Sequence, residues 1–114
     1  MLVTAGPTYE AIDPVRFIGN HSSGKMGIAI TEALLKAGAT VHLVLGPSTQ
    51  AIPQNTQLTV HRVVSAQDMY EACNRVFADV DIAILSAAVA DFTPANVANE
   101  KIKKDQAALS VTLQ

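Results

Sequence analysis

Apolar and polar positions change their period several times along the 114 residues, and the changes outline the elements. Leu2-Val3-Thr4 is a short apolar start, ended by Gly6-Pro7. From Gly6 to Gly24 no period holds. Pro7, Pro14 and scattered polar residues there predict a long loop, a feature that is usually functional in a compact domain. A helical period follows from Ser23 to Ala37. Met26, Ile30, Ala33, Leu34 and Ala37 share its apolar face, and Gly38 supplies the stop. Thr40 to Leu45 predicts a buried strand ended by Gly46-Pro47, and Ser48 to Gln57 a polar loop. Leu58 to Val63 predicts a second strand. Ser65 followed by Asp68 reads as a capping box opening a helix to about Val76, with Met69, Ala72, Cys73 and Val76 inward. Ile82 to Leu85 is the next strand, and Ala87 to Asn99 a second irregular segment. Lys101 to Lys104 and Leu109 to Gln114 alternate loosely, which predicts a hairpin between them.

Strand, helix, strand, strand, helix, strand is the order of a parallel α/β domain. The strands are continuous apolar runs rather than alternating ones, as expected when helices cover both faces of the sheet. No composition shift divides residues 1–114, so one domain is expected.

Composition narrows the function classes. Hydrophobic residues make up 49% of the chain and charged residues only 16%, against about 25% charged in an average soluble protein. Disorder is thereby excluded as the overall state. A net charge of -2 argues against non-specific nucleic-acid binding, and 4% aromatics leave few platforms for base stacking. Cys73 is the single cysteine, so no internal disulfide or CxxC metal site forms, and a reduced, cytoplasmic setting is expected. No apolar run approaches the length of a membrane span, and no signal peptide is visible.

In open parallel sheets, ligands bind beyond the carboxyl ends of the strands where the strand order reverses. The segments after Thr4, Leu45 and Leu85 open on that edge. Gly19 to Gly27 nearly matches a phosphate-cradling P-loop, but Met26 stands where a magnesium-binding hydroxyl is needed, and the stretch does not directly follow its strand. The physics behind that pattern still applies. Ser22, Ser23 and Gly24 precede a helix whose first amides lack intrahelical partners, which suits an anion, with Lys25 alongside. An ordinary serine cap fits the same residues. No G-x-G-x-x-G follows Val3, which weighs against a dinucleotide site. Asp91 is a lone carboxylate among apolar residues, suited to a ligand or to a turn cap. Lys101, Lys103 and Lys104 are three of the eight basic residues. They form a solvated face, or they meet a phosphate if the segment folds over the site. His21, His42 and His61 show no metal-ligand spacing.

Taken in order, five stretches resemble the phosphopantothenate–cysteine ligase family, the synthetase part of the bacterial coenzyme A biosynthesis protein. They are Ala5-Gly6-Pro7-Thr8, Asp13-Pro14-Val15-Arg16-Phe17-Ile18, Asn20 to Gly27, Ala87-Ala88-Val89-Ala90-Asp91-Phe92 and Glu100-Lys101-Ile102-Lys103-Lys104. The resemblance implies a three-layer α/β/α sandwich with a Rossmann-like parallel sheet. It implies that CTP activates the carboxylate of 4'-phosphopantothenate as an acyl-cytidylate, which the amine of cysteine then attacks, with Mg2+ accompanying the triphosphate. By that similarity Gly6, Ser22, Gly24 and Gly27 line the phosphates, and Ser86, Ala87 and Asp91 meet the base and sugar. Lys101 contacts the nucleotide and supports activation. Asn20 binds the acyl-cytidylate and serves the cysteine step, and Arg16 meets the pantothenate part. The family is usually dimeric and is often fused to a flavin-dependent phosphopantothenoylcysteine decarboxylase, so no flavin is expected in this part.

Members of that family run well beyond this length. The chain is therefore expected to be the N-terminal half of a longer domain, with its sheet incomplete at the C-terminal end and turnover lost in isolation. Two other readings are a non-catalytic nucleotide-binding module and an NAD(P)-binding oxidoreductase domain, the latter weakened by the missing glycine fingerprint.

Overall fold

The apolar runs near the two ends of the chain meet as neighbouring strands. A computed structural model describes residues 1–102 and 109–114. In chain order the elements are β1 (Leu2–Ala5), β2 (Tyr9–Ala11), β3 (Phe17–Gly19), α1 (Lys25–Lys36), β4 (Val41–Leu45), β5 (Leu58–Arg62), α2 (Ala66–Phe77) and β6 (Ala83–Leu85). Four of the strands form one sheet in the order β5-β4-β1-β6, and every pairing in it is parallel. The chain moves outward from β1 through β4 to β5, then returns along α2 to β6 on the other side of β1. Strand order thus reverses between β1 and β6.

Alternation within the strands sorts the core into two layers. Val3 and Ala5 of β1 and Val41, Leu43 and Leu45 of β4 pack with Ile28 and Leu35 of α1. Leu2 and Val44 point the other way and pack with Met69, Ala72 and Val76 of α2. One helix on each face makes the expected three-layer α/β/α sandwich, and it explains why β1 and most of β4 are apolar on both faces. At the β6 edge Leu85 is 76% exposed.

α2 forms as its sequence predicts. The Ser65 hydroxyl accepts from the Asp68 amide, and the Asp68 carboxylate accepts from the Ser65 amide at 3.0 Å. The Ser65 amide foremost holds the Asp68 carboxyl below the usual carboxylate range; burial opposes it, and the Val64 amide and the Ser65 hydroxyl add to it.

Two expectations are corrected. The stretch from Gly6 to Gly24 is not a plain loop, because β2 and β3 form an antiparallel hairpin within it. Its strands have only three residues each, too short to show a period. The apolar face expected for α1 is also rotated. Gly27, Ile28, Thr31 and Leu35 are buried, whereas Met26 is 71% exposed. The helix turns its smallest residue inward: a Cβ at Gly27 would overlap that of Ala5, and Thr31 is buried with its hydroxyl on the Gly27 carbonyl. Size alone therefore misassigned the inward face. At the C-terminal end, Leu113 bridges antiparallel to Pro94, and the Ala95 amide donates to the Thr112 carbonyl at 2.7 Å. The end segment thus pairs with Thr93 to Ala95, and the hairpin expected between Lys101–Lys104 and Leu109–Gln114 runs through residues 103–108, which lie outside the described residues, Lys103 and Lys104 among them.

On the α2 side of the sheet, His42 Nδ1 and His61 Nε2 stand 3.0 Å apart. Burial holds the His61 imidazole below its ordinary value of 6.5, and the His42 ring and the Arg75 guanidinium push the same way. The unfolded chain therefore binds this proton more readily, so the contribution of His61 to stability is complete above about pH 6.5 and declines below it. Urea midpoints are expected to fall between pH 7.5 and pH 5.5, and to fall less in His61→Gln; an equal fall would contradict this. Gly27→Ala is expected to cost about 1–3 kcal/mol by the same measurement, as overpacking does. An unchanged midpoint would mean that α1 does not lie so close to β1.

Candidate functional site

Beyond the carboxyl ends of β1 and β6 the two chains stay wired together. The Thr4 carbonyl accepts from the Ser86 amide at 3.1 Å and from the Ser86 hydroxyl at 2.6 Å. The Thr4 hydroxyl accepts from the Ala87 amide at 3.3 Å. The Ala88 amide donates to the Gly6 carbonyl at 2.8 Å, and the Ala90 amide to the buried Thr8 hydroxyl at 2.8 Å. This ladder fixes the Ala-rich bend against the turn at Gly6.

Two further segments, the start of α1 and the turn after β4, close on that region through glycines. Gly6 and Gly24 have φ of 80° and 82°, a region that L side chains rarely adopt. A Cβ on Gly24 would stand 3.4 Å from the Cα of Gly6. One on Gly27 would stand 2.9 Å from the Ser86 Oγ, and one on Gly46 would overlap the Pro7 carbonyl. The Ser48 hydroxyl, after β4, donates to the Ser23 carbonyl at 2.5 Å. Gly6, Gly24, Gly27, Ser86 and Ala87 are thus brought together at the edge where strand order reverses.

The two helix N-termini differ in electrostatics. That of α2 is closed by its capping box and by Glu10, whose carboxylate accepts from the Ala66 amide at 3.0 Å. That of α1 begins at Gly24 with no side-chain cap and no acidic residue in its first turn, and it carries Lys25. The Ser22 and Ser23 hydroxyls instead accept from the Gly24 and Lys25 amides at 3.4 and 3.3 Å, and Asn20 Oδ1 accepts from the Ser22 amide at 3.0 Å. An ordinary serine cap is therefore not what the structure has. The open positive end of α1 faces the glycine cluster and suits an anionic group.

The remaining candidates lie on the hairpin side. Tyr9 stacks on Phe17 with centroids 3.9 Å apart, and the Tyr9 amide donates to the Val64 carbonyl at 2.7 Å. At the hairpin turn Asp13 is buried, and Arg16 lies 3.9 Å from its carboxylate. The Ile102 amide donates to Asp13 Oδ2 at 3.0 Å, so Lys101 is held at the hairpin turn rather than at the glycine cluster. That amide holds the Asp13 carboxyl below the usual range; burial opposes it, while the Arg16 and Val15 amides and the Arg16 guanidinium add to it. Asn20 links the two regions, because it joins β3 to the turn before α1. Asp91 and His21 are exposed. Burial pushes the half-buried Cys73 thiol up, which keeps it unreactive.

Thr4, Thr8, Glu10, Asp13 and Gly46 organise the site and were given no site role from sequence. Asp13-Pro14 carries a turn signal, and Thr4 and Thr8 are polar residues beside Gly6-Pro7 in an apolar run. Nothing local points from Glu10 to α2 or from Asp13 to Ile102. Among the described residues, a cleft of about 390 Å³ lies at the opposite edge of the sheet, lined by Thr40, His42, Asp79 and Asp81 among others. Its two carboxylates disfavour a phosphate. No described helix is long and apolar enough to cross a membrane.

Comparison with known proteins gives a consistent result. The family model described as the DNA/pantothenate metabolism flavoprotein C-terminal domain matches residues 1–114. The coenzyme A biosynthesis bifunctional protein CoaBC of Vibrio vulnificus (strain YJ016) is 50% identical over 115 residues, covering 99% of this chain and 28% of that protein. A cysteine/cysteine sulfinic acid decarboxylase from an unknown prokaryotic organism is 49% identical over 114 residues, 100% of this chain and 32% of that protein. The crystal structure of the C-terminal domain of a CoaBC protein has a TM-score of 0.82 at 45% identity, covering 99% of this chain and 51% of that one. The chain thus spans less than a third of the length of these two relatives and about half of the solved domain. The expectation of an N-terminal half needs one correction: relative to a whole bifunctional protein, the match is to the C-terminal domain.

Proposed function

The chain belongs to the family of DNA/pantothenate metabolism flavoprotein C-terminal domains, and on that premise we propose that it forms the nucleotide end of a phosphopantothenate–cysteine ligase in coenzyme A biosynthesis. One observation carries the reading: the uncapped start of α1 lies on a glycine cluster at the reversal of strand order. A triphosphate suits this edge because fixed amides and Lys25 offset its charge, while the missing Cβ atoms at Gly6, Gly24 and Gly27 let the segments that carry those amides pack together.

The reaction follows from placing CTP at this edge. Gly6, Ser22, Gly24 and Gly27 line the phosphates. Ser86, Ala87 and Asp91 meet the base and sugar from the bend after β6. A carboxylate oxygen of 4'-phosphopantothenate attacks the α-phosphorus, and pyrophosphate leaves with the bonding electron pair. Lys101 offsets the charge that builds on the phosphate oxygens, reaching in from the hairpin side. Arg16 holds the pantothenate part. Asn20, between hairpin and helix, binds the resulting acyl-cytidylate. The cysteine amine then attacks the acyl carbon, CMP leaves, and the amine gives up a proton as the amide forms.

Among the described residues no three His, Cys, Asp or Glu side chains are grouped to hold a metal ion. The described side chains therefore do not make a resident magnesium site. A hard cation arriving with the triphosphate is held chiefly by phosphate oxygens. The two-step chemistry draws on no flavin. A flavin-dependent decarboxylase domain in the same polypeptide completes the reading, and the bifunctional relatives support such a fusion; a dimeric assembly and a cytoplasmic setting belong to the proposal on the family resemblance alone.

Thermal shift with CTP, ATP, NAD and NADP tests the proposal. CTP at ten times its Kd is expected to stabilise the chain by about 1.4 kcal/mol, and NAD and NADP to leave it unchanged. Lys101→Ala and Asn20→Ala are each expected to lose most of the CTP shift. A shift with NADP alone, or with no nucleotide at all, would overturn the assignment.

A further inference from the structure

We propose that Asp13 is the positioning residue for Lys101, acting through the backbone of Ile102; the inference rests on the nucleotide reading above for what Lys101 does, not for where it stands. The Asp13 carboxylate accepts three backbone amides. Val15 at 2.8 Å and Arg16 at 2.7 Å share Oδ1 and form the hairpin turn. Oδ2 takes the Ile102 amide at 3.0 Å, from 89 positions away. A turn of this kind needs only one side-chain oxygen. The second oxygen is committed to a segment from the other end of the chain.

That commitment has a reason in charge. The Asp13 side chain is fully buried, and a buried carboxylate is tolerated only when its oxygens are hydrogen-bonded or its charge is matched. The Ile102 amide and the Arg16 guanidinium meet that requirement. A second tie runs alongside, since the Ala98 amide donates to the Ile12 carbonyl at 3.0 Å. Two hydrogen bonds, one to the Asp13 carboxylate and one to the Ile12 carbonyl, therefore tie Ala98 and Ile102 to the hairpin turn.

The hairpin that receives them is itself anchored. Glu10 accepts from the first amide of α2, the Tyr9 amide donates to Val64, and Tyr9 stacks on Phe17. A continuous set of contacts thus runs from α2 through Glu10 and the hairpin to Asp13, Ile102 and Lys101. The Ile102 amide and the Lys101 carbonyl belong to one planar peptide unit. Fixing that amide fixes the root of the Lys101 side chain, while the side chain itself stays exposed and free to reach a phosphate. Asparagine at this position cannot replace the carboxylate, because its NH2 group would face either Ile102 or the turn amides.

Two variants separate the latch from a general folding role. Asp13→Asn is expected to speed hydrogen exchange at the Ile102 amide about tenfold or more, with the Val3 and Leu43 core amides unchanged. Its CTP affinity is expected to fall as far as that of Lys101→Ala, and the double variant to bind no more weakly than either single one. Ile102→Pro leaves Asp13 intact and removes the donor, together with the Ile side chain and some backbone freedom at Lys101, so it should reproduce the loss of CTP affinity while the Val15 and Arg16 amides stay protected. It also decides the matter if Asp13→Asn fails to fold. Multiplying losses in the double variant, or wild-type CTP affinity in Ile102→Pro, would overturn the proposal. If Lys101→Ala binds CTP normally, the nucleotide role of Lys101 fails instead. Exchange at Ile102 then judges the latch alone, and unchanged exchange in Asp13→Asn would refute it.

Discussion

The first turn of α1 lies against the end of β1 at a separation that only glycine permits. A Cβ at Gly27 would overlap Ala5, and one at Gly24 would press on Gly6. Because both positions lack a side chain, the helix brings its first turn, with the Lys25 amide already on the Ser23 hydroxyl and no cap from Gly24, onto the edge where strand order reverses. The same closeness turns Ile28 and Leu35 into the core and leaves Met26 outside. Packing and chemistry at this edge share one cause.

The hairpin between β1 and α1 gives the site its second side. It is a rigid strut rather than a loose insertion, because Glu10, the Tyr9–Phe17 stack and Asp13 tie it at its base and at its turn. Two buried carboxylates serve backbone amides on separate segments, which lets a small domain hold irregular chain in place without a large core. The phosphate-binding and substrate-binding candidates therefore sit on different elements: one group on the sheet edge, the other on the strut, with Asn20 between them.

Much of the fold was legible in the sequence because its signals are local. Apolar runs marked β1, β4, β5 and β6, and Ser65 with Asp68 marked the start of α2. The hairpin was missed because strands of three residues carry no period. The face of α1 was misread because burial there follows the absence of a side chain at Gly27, whereas periodicity weighs the presence of large ones. At the site, the glycine and serine positions stood out by type, and family motifs supplied their roles. Thr4, Thr8, Glu10 and Asp13 act through partners tens of residues away, which no local pattern reveals.

The central claim is that the open start of α1, with the turn at Gly6, receives the phosphates. Titrating the 15N-labelled chain with CTP and following backbone amide shifts tests it most directly. The account predicts that the largest saturable shifts fall on Gly6 and on Gly24 to Gly27. Largest shifts at Thr40, Asp79 and Asp81, which line the cleft on the opposite edge of the sheet, would contradict it.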